Sequence, residues 1–500
     1  MFFIVAYYSP PCGGGVGVGL REGLGVGRFT FILTTMTYLA IDFGGGSGRV
    51  IAGTITNEGG RKQLTMQLVH RFQNRQVRLG EHVYWDFPAL FEDMKTGLRK
   101  AAQLGLDVAG IAVDTWGVDF GLIDRQGNLI GNPVCYRDAR TRGMAEEFFS
   151  TTDPTEHYAV NGTQVMEINT LFQLLSMKKA DSPQLQIADR MLFTPDLFSF
   201  FLTGEANTEY TIASTSEMLN AKTRTWDWPL IDRLGLPRHL FCPIVMPGTV
   251  RGRLRRDIAE ETGLGEVDVI AVGSHDTASA VAAVPAKADE HPVAFISSGT
   301  WSLLGVEIDA PILTEEARSA QFTNEGGIGG KITFLQNITG LWFLQRLMAE
   351  WRDEGDEQQY DPLLAAADKS PIKSIIPVDA PEFQNPKSMQ HAICDYCKSH
   401  GMEVPQSKGD TTRVVLQSLA AKYAEATRAL NAMLPSPIKT LHIIGGGSQN
   451  KLLNLLTQEA LGIPVEAGPV EATAIGNILT QALAKGEVSD INEMRSITIN

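Results

Sequence analysis

Three short stretches of this sequence carry groups suited to handling phosphates and protons. The first is Gly44-Gly45-Gly46-Ser47-Gly48-Arg49, with Asp42 just before it. Glycines leave backbone N–H groups unobstructed, so such a loop can crowd donors around phosphate oxygens. Ser47 adds a hydroxyl and Arg49 a fixed positive charge, and Asp42 offers a carboxylate that could hold a metal-bound water. The second is Gly273-Ser274-His275-Asp276-Thr277, leading into a run of small residues. A carboxylate at a helix start, Asp276 would either cap the helix or take a proton from an acceptor hydroxyl. The third is Gly445-Gly446-Gly447, between an apolar strand and a helix, a second place for backbone donors to meet phosphate or nucleoside. Asp114, Thr115, Trp116 and Asp119 interrupt a buried strand, and polar groups there are costly without a purpose. His275 is equally a candidate core histidine, and Trp116 a packing residue.

Two commoner glycine loops do not fit the first stretch. A P-loop ends in Gly-Lys-Ser/Thr, and no lysine stands here. A dinucleotide fingerprint opens a helix, whereas Arg49 occupies the position of its third glycine. A plain hairpin turn is the alternative that remains. The chain carries a net charge of −14, which argues against a nucleic-acid partner but not against a small phosphorylated ligand. Its 500 residues, 43% hydrophobic and 20% charged, suit a soluble globular protein of two or more domains.

The elements that must position these groups follow from periodicity. Residues 38–43 and 49–55 suit two strands joined by the glycine turn, and 64–72 a third. A helix is expected over 87–104, a strand over 111–123 and another over 267–272. Residues 170–201 have helical spacing, with 191–196 as the start of a helix. Residues 211–220, rich in hydroxyls, suit a polar wall or a capped helix end. A second strand, Gly/Ser/Thr turn and strand pattern spans 292–308 with Thr300 in its turn. Residues 334–351 read as the start of a helix holding Asn337, Gly340, Trp342 and Gln345, and 414–434 as a long amphipathic helix. The echoed hairpins imply two domains, 36–285 and 290–490, with a hinge near 285–290. Loops from both halves would then meet at an interdomain cleft.

These motifs resemble those of the FGGY carbohydrate kinases, within the actin, Hsp70 and hexokinase superfamily of ATPase folds. The resemblance rests on AIDFGGGSGRV at 40–50, DTWGVDFGLID at 114–124, AVGSHDTASAV at 271–281, SSGTWSL at 297–303, QNITGLWFLQ at 336–345 and IIGGGSQN at 443–450. It implies an α/β fold of two ribonuclease H-like, actin-like ATPase domains flanking a cleft. It also implies ATP and Mg²⁺, with γ-phosphoryl transfer to the 1-hydroxyl of L-rhamnulose. Other ketoses of the same family (fuculose, xylulose, ribulose) are the first alternative, and a non-catalytic ATP-binding sensor the second. By the same resemblance Asp276 is the catalytic base. Gly45, Gly46, Ser47, Gly48, Arg49, Thr300, Gln345 and Gly446 contact the nucleotide. Gly117, His275, Thr277 and Asn337 contact the sugar, and Asp42 stands on the metal side. The lysine and tryptophan of the common family signature are absent around MLFTPDLFSFFLTG at 191–204.

Residues 1–35 fit neither a signal peptide nor a membrane span, and the resemblance begins at Met36, so they are expected to be a non-native or disordered leader. Five scattered cysteines suit a reduced, cytoplasmic protein. Cys394 and Cys397, with His391 and His400 nearby, suggest a surface loop with two free thiols, a local zinc site being the alternative. No membrane partner is expected, and the protein is expected to be a monomer or small homo-oligomer.

Overall fold

The structure is a computed structural model and describes residues 36–499, apart from 288 and 385. The expectation for residues 1–35 lies outside the described residues. The first sheet begins with the antiparallel meander β1 (Thr37–Phe43), β2 (Ser47–Glu58) and β3 (Arg61–Gln73). Helix α1 (Phe87–Gln103) follows, and its buried face of Leu90, Met94, Leu98 and Ala101 repeats at helical spacing. Asp86 caps it and Pro88 sits in its first turn. Strand β4 (Val108–Thr115) then pairs parallel to β1. Strands β5 (Val250–Arg253) and β6 (Asp268–Ile270) complete the order β5-β6-β4-β1-β2-β3. A short helix, α2 (Asp276–Ala282), leaves this sheet.

The second sheet repeats the plan. Strands β7 (Ala294–Ser298) and β8 (Trp301–Ile308) form its hairpin, joined by β9 (Thr323–Gly326) and β10 (Ile332–Thr339). After α3 (Trp342–Asp353) and the 26-residue α4 (Lys408–Met433) come β11 (Leu441–Ile444), α5 (Lys451–Leu461), β12 (Val465–Ala467) and α6 (Ala472–Ala484). The order is β9-β10-β8-β7-β11-β12, with β7, β11 and β12 parallel. Each half is thus an antiparallel meander extended by parallel strands, the first adding β5 antiparallel at its far edge and the second adding β9 beyond its meander.

The faces that the sheets turn toward one another bury a shared core. It combines Tyr38, Ala40 and Ile51 of the first sheet, Phe295 and Leu335 of the second, and Ala280, Ile475, Ile478 and Leu479 of α2 and α6. Helix α6 therefore lies on the first sheet although it follows every strand of the second. Its Gln481 donates to the carbonyl of Leu39 at 3.1 Å, and Asn477 donates to Asp114 at 2.6 Å. At Gly53 a Cβ would lie 2.5 Å from Ile478, so a side chain there would push α6 off the sheet.

Four local expectations are corrected. Residues 191–193 are a strand, Arg190–Phe193, paired antiparallel with Phe120–Ile123, and the helix begins only at Thr194. The polar segment Trp116–Asp119 splits the expected strand 111–123 in two. Asn337 sits on β10 rather than on a helix, because its run pairs in register with β8. Cys394 and Cys397 lie on a helix, Met389–Ser399, rather than a loop, and Cys397 faces the core. Among the described residues no group of three or more His, Cys, Asp or Glu is arranged to hold a metal, and the four described cysteines are free.

Candidate active site

Strand ends from both sheets open onto one cleft of about 530 Å³. Its first wall carries Gly45, Gly46, Arg49, Gly117, His275, Asp276 and Thr277, and its second Thr300, Asn337, Gln345 and Gly446. Eleven residues scattered over the chain thus meet in one space, while Asp42, Ser47 and Gly48 do not line it. Gly48 is buried in β2, where a Cβ would collide with the Phe72 ring. Ser47 opens β2 and is exposed. Asp42 is buried at the end of β1, opposite Arg49, whose guanidinium reaches it at 2.5 Å and also pairs with Glu471 from the second half.

Asp276 stands in the first turn of α2, where His275 holds the cap position and no side chain caps the helix. The capping alternative therefore has no hydrogen bond behind it. The Asp276 side chain is 33% exposed to the cleft. Its Oδ1 accepts from the Thr277 hydroxyl at 3.2 Å and lies 3.6 Å from His275 Nε2. Burial raises its pKa above the usual carboxylate value; the nearby Asp42 adds to this and His275 opposes it. A carboxylate so placed holds a proton more readily than one in water, as a general base must.

The other two carboxylates of this region are occupied or enclosed. Asp119 has no exposed surface and binds four donors: Trp85 Nε1 at 2.6 Å, Trp116 Nε1 at 3.0 Å, Tyr136 N at 3.1 Å and Gln173 Nε2 at 3.0 Å. Burial lifts its pKa to about 6 against those donors. It ties together the wall that presents Trp116 and Gly117. Asp114 sits beside Asp42 in the β1/β4 register and is also enclosed. One of its oxygens accepts from Asn477 and the other has no hydrogen-bond partner. Burial, and then Asp42, raise its pKa.

Further residues of the site gave no local signal in the sequence. Gln164 Oε1 accepts from both N and Nδ2 of Asn337, at 3.1 and 3.0 Å, across the cleft floor. Glu325 on β9 faces His275 Nδ1 at 2.9 Å. Thr215, within the hydroxyl-rich run, accepts from Val118 N at 3.1 Å, holding the turn after Gly117. Only that run, read as a polar wall, pointed to any of them. On the second wall the Thr300 hydroxyl donates to Gln345 Oε1 at 3.3 Å, linking the β7/β8 turn to α3.

Two actin-like ATPase domains, closing glycine turns and a carboxylate around one cleft, define the class of two-domain phosphotransferases. Residues 37–283 match the N-terminal domain of the FGGY family of carbohydrate kinases, and 294–485 its C-terminal domain. The chain belongs to that family. It is 45% identical to the rhamnulokinase of Bacteroides thetaiotaomicron over 92% of this chain and 93% of the relative. It is 39% identical to the rhamnulokinase of Oceanobacillus iheyensis over 92% and 95%. Among solved structures, the gluconate kinase of Lactobacillus acidophilus superposes with a TM-score of 0.75 at 15% identity, covering 93% of this chain and 92% of that one. Plasmodium falciparum glycerol kinase gives 0.75 at 13% identity, covering 93% of each. At such identities the likeness concerns the fold alone. No helix among the described residues is long and apolar enough to cross a membrane.

Proposed function

We propose that this chain transfers the γ-phosphoryl group of ATP to the 1-hydroxyl of L-rhamnulose, giving L-rhamnulose 1-phosphate and ADP, in L-rhamnose catabolism. The observation that carries the phosphotransfer reading is Asp276, open to a cleft that both glycine-rich turns line. The choice of sugar rests on the relatives named above, rhamnulokinases matched over more than nine-tenths of this chain. Asp276 takes the proton of the 1-hydroxyl as that oxygen bonds to phosphorus and the bond from phosphorus to the bridging oxygen of ADP breaks. The backbone of Gly45 and Gly46, with Arg49, faces the phosphates, and Ser47 and Gly48 shape that turn. Thr300, Gln345 and Gly446 hold the nucleotide, and Gly117, His275, Thr277 and Asn337 the sugar. The carboxylate of Asp42, beside Asp114 with its unpartnered oxygen, suits Mg²⁺, which takes one or two carboxylates together with substrate phosphates and water. When bound there, Mg²⁺ neutralises charge on the phosphates. Contacts across the cleft exclude water that would otherwise compete as acceptor. One chain supplies every one of these residues, which suits a monomer or small homo-oligomer, and free cysteines suit the cytoplasm.

The test is ADP release from ATP with L-rhamnulose, fuculose, xylulose and ribulose. The highest kcat/KM is expected with L-rhamnulose. A higher value with another ketose reassigns the sugar, and ATP turnover indifferent to all four returns the chain to a non-catalytic ATP-binding role.

A further inference from the structure

His275 belongs to the first family domain and Glu325 to the second, yet they form one buried pair, with Nδ1 2.9 Å from Glu325 Oε2. The ring's other nitrogen faces Asp276 at 3.6 Å. Its backbone is also fixed, since His275 N donates to Thr211 Oγ1 at 3.1 Å and His275 bridges to Thr115 at the end of β4. With a carboxylate on either side, the ring can carry hydrogen on both nitrogens, Nδ1 toward Glu325 and Nε2 toward Asp276. Glu325 is itself held in place: β9 is locked to the first half by Asn324 N donating to the Gly162 carbonyl at 2.8 Å and Gly326 N to Ser214 Oγ at 2.8 Å.

The geometry points to Glu325 as a positioning residue, delivered by the second domain, that fixes the His275 ring against Asp276. This inference rests on the assignment of Asp276 as the base. The surroundings favour a charged ring. Burial works against the charge, but Glu325, then Asp276 and Glu209, raise the His275 pKa to about 9. A cationic ring beside Asp276 keeps that carboxylate ionised and able to accept a proton, despite its burial and the nearby Asp42. Without Glu325, His275 loses its stronger partner, and the base is left with the groups that disfavour its charge.

Two measurements on the full chain test this. In the first, ¹⁵N spectra of the histidine rings are compared at pH 7.5 for wild type and Glu325→Gln, with His275 assigned by His275→Gln. The His275 ring should carry hydrogen on both nitrogens in wild type and lose one in Glu325→Gln. A neutral ring in wild type, or one unchanged in Glu325→Gln, overturns the inference, and this readout needs no sugar. In the second, steady-state kinetics compare Glu325→Gln, His275→Gln and the double variant. Glu325→Gln should lower kcat by about 10–100-fold, the loss typical when a group orienting a reacting group from behind is removed, with the KM for sugar held within a few-fold. The double variant should be no slower than His275→Gln alone. A raised sugar KM at unchanged kcat would make Glu325 a direct sugar ligand, and additive losses would separate it from His275; either result overturns the inference. Absence of turnover in wild type with every ketose would instead overturn the kinase reading, while the ring spectra still decide whether Glu325 fixes His275.

Discussion

Gly476 of α6 lies directly on the backbone of Ser279 in α2: a Cβ on Gly476 would fall inside the van der Waals envelope of the Ser279 carbonyl oxygen. The two helices cross at this point between the sheets, and each packs into the core that the halves share. The neighbour is main chain rather than a flexible side chain, so it cannot turn aside.

The crossing predicts the sign of a substitution that helix propensity alone would reverse. Ala is favoured over Gly inside a helix by roughly 1 kcal/mol. In Gly476→Ala that gain is opposed by forced separation of α2 from α6, an overpacking cost of about 1–3 kcal/mol or more. The variant should melt below wild type and lose turnover, because α2 carries Asp276. A melting temperature at or above wild type would show that the crossing tolerates a methyl group.

Asp276→Asn removes the proposed proton acceptor at almost constant volume. No side chain caps α2, so the helix loses no cap bond. Turnover of L-rhamnulose should fall by about 10²–10⁴-fold with melting temperature and ATP binding near wild type. Turnover within a few-fold of wild type would remove Asp276 from the chemistry. Asp119, with no exposed surface and four donors, could not take its place without rearrangement.

Two glycines of one turn should respond oppositely to added bulk. A Cβ on Gly46 meets nothing within 4 Å, whereas one on Gly48 strikes the Phe72 ring. Gly46→Val should fold as wild type and raise the KM for ATP, since its methyl groups project where phosphate would lie. Gly48→Ala should cost about 1–3 kcal/mol of stability, with any change in ATP affinity following from that. Equal melting temperatures for the two variants would contradict this division.

His275 also sets a pH dependence of stability. Its pKa is raised from 6.5 to about 9 in the folded chain. Between those values the folded state binds more protons than the unfolded one, so raising the pH favours unfolding. The contribution is complete below about pH 6.5 and is lost as the pH rises through about 9. Melting temperature should therefore decline over that interval, and less steeply in His275→Gln. An equal decline in both proteins would place the titrating group elsewhere.

Much of this site was legible in the chain because its parts are local. Glycine turns between β-branched runs, a carboxylate before small residues and the echoed hairpin each occupy fewer than about twenty residues, within reach of periodicity and turn chemistry. What was not legible depends on partners far away in sequence. Residues 191–193 have an apolar run that suits either helix or strand, and pairing with Phe120–Ile123 decides it. Asn337 lies on a strand because β8 pairs with it. Asp119 showed only as an expensive polar residue; its meaning comes from Trp85, Tyr136 and Gln173, which converge on it from separate elements. Glu325 and Gln164 stand in unremarkable stretches and acquire roles only across the cleft.

The placement of α6 on the first sheet has a consequence for how the chain is made. Tyr38, Ala40 and Ile51 emerge from the ribosome well before Ile475, Ile478 and Leu479, with which they share a core. Until then the first half presents an apolar sheet face without the helix that covers it. Domains usually fold as units in the order of synthesis, and here that order is broken, because the first half borrows its closing helix from the end of the second. A nascent or truncated chain lacking residues 472–484 is therefore expected to expose apolar surface of the core that the two family domains share.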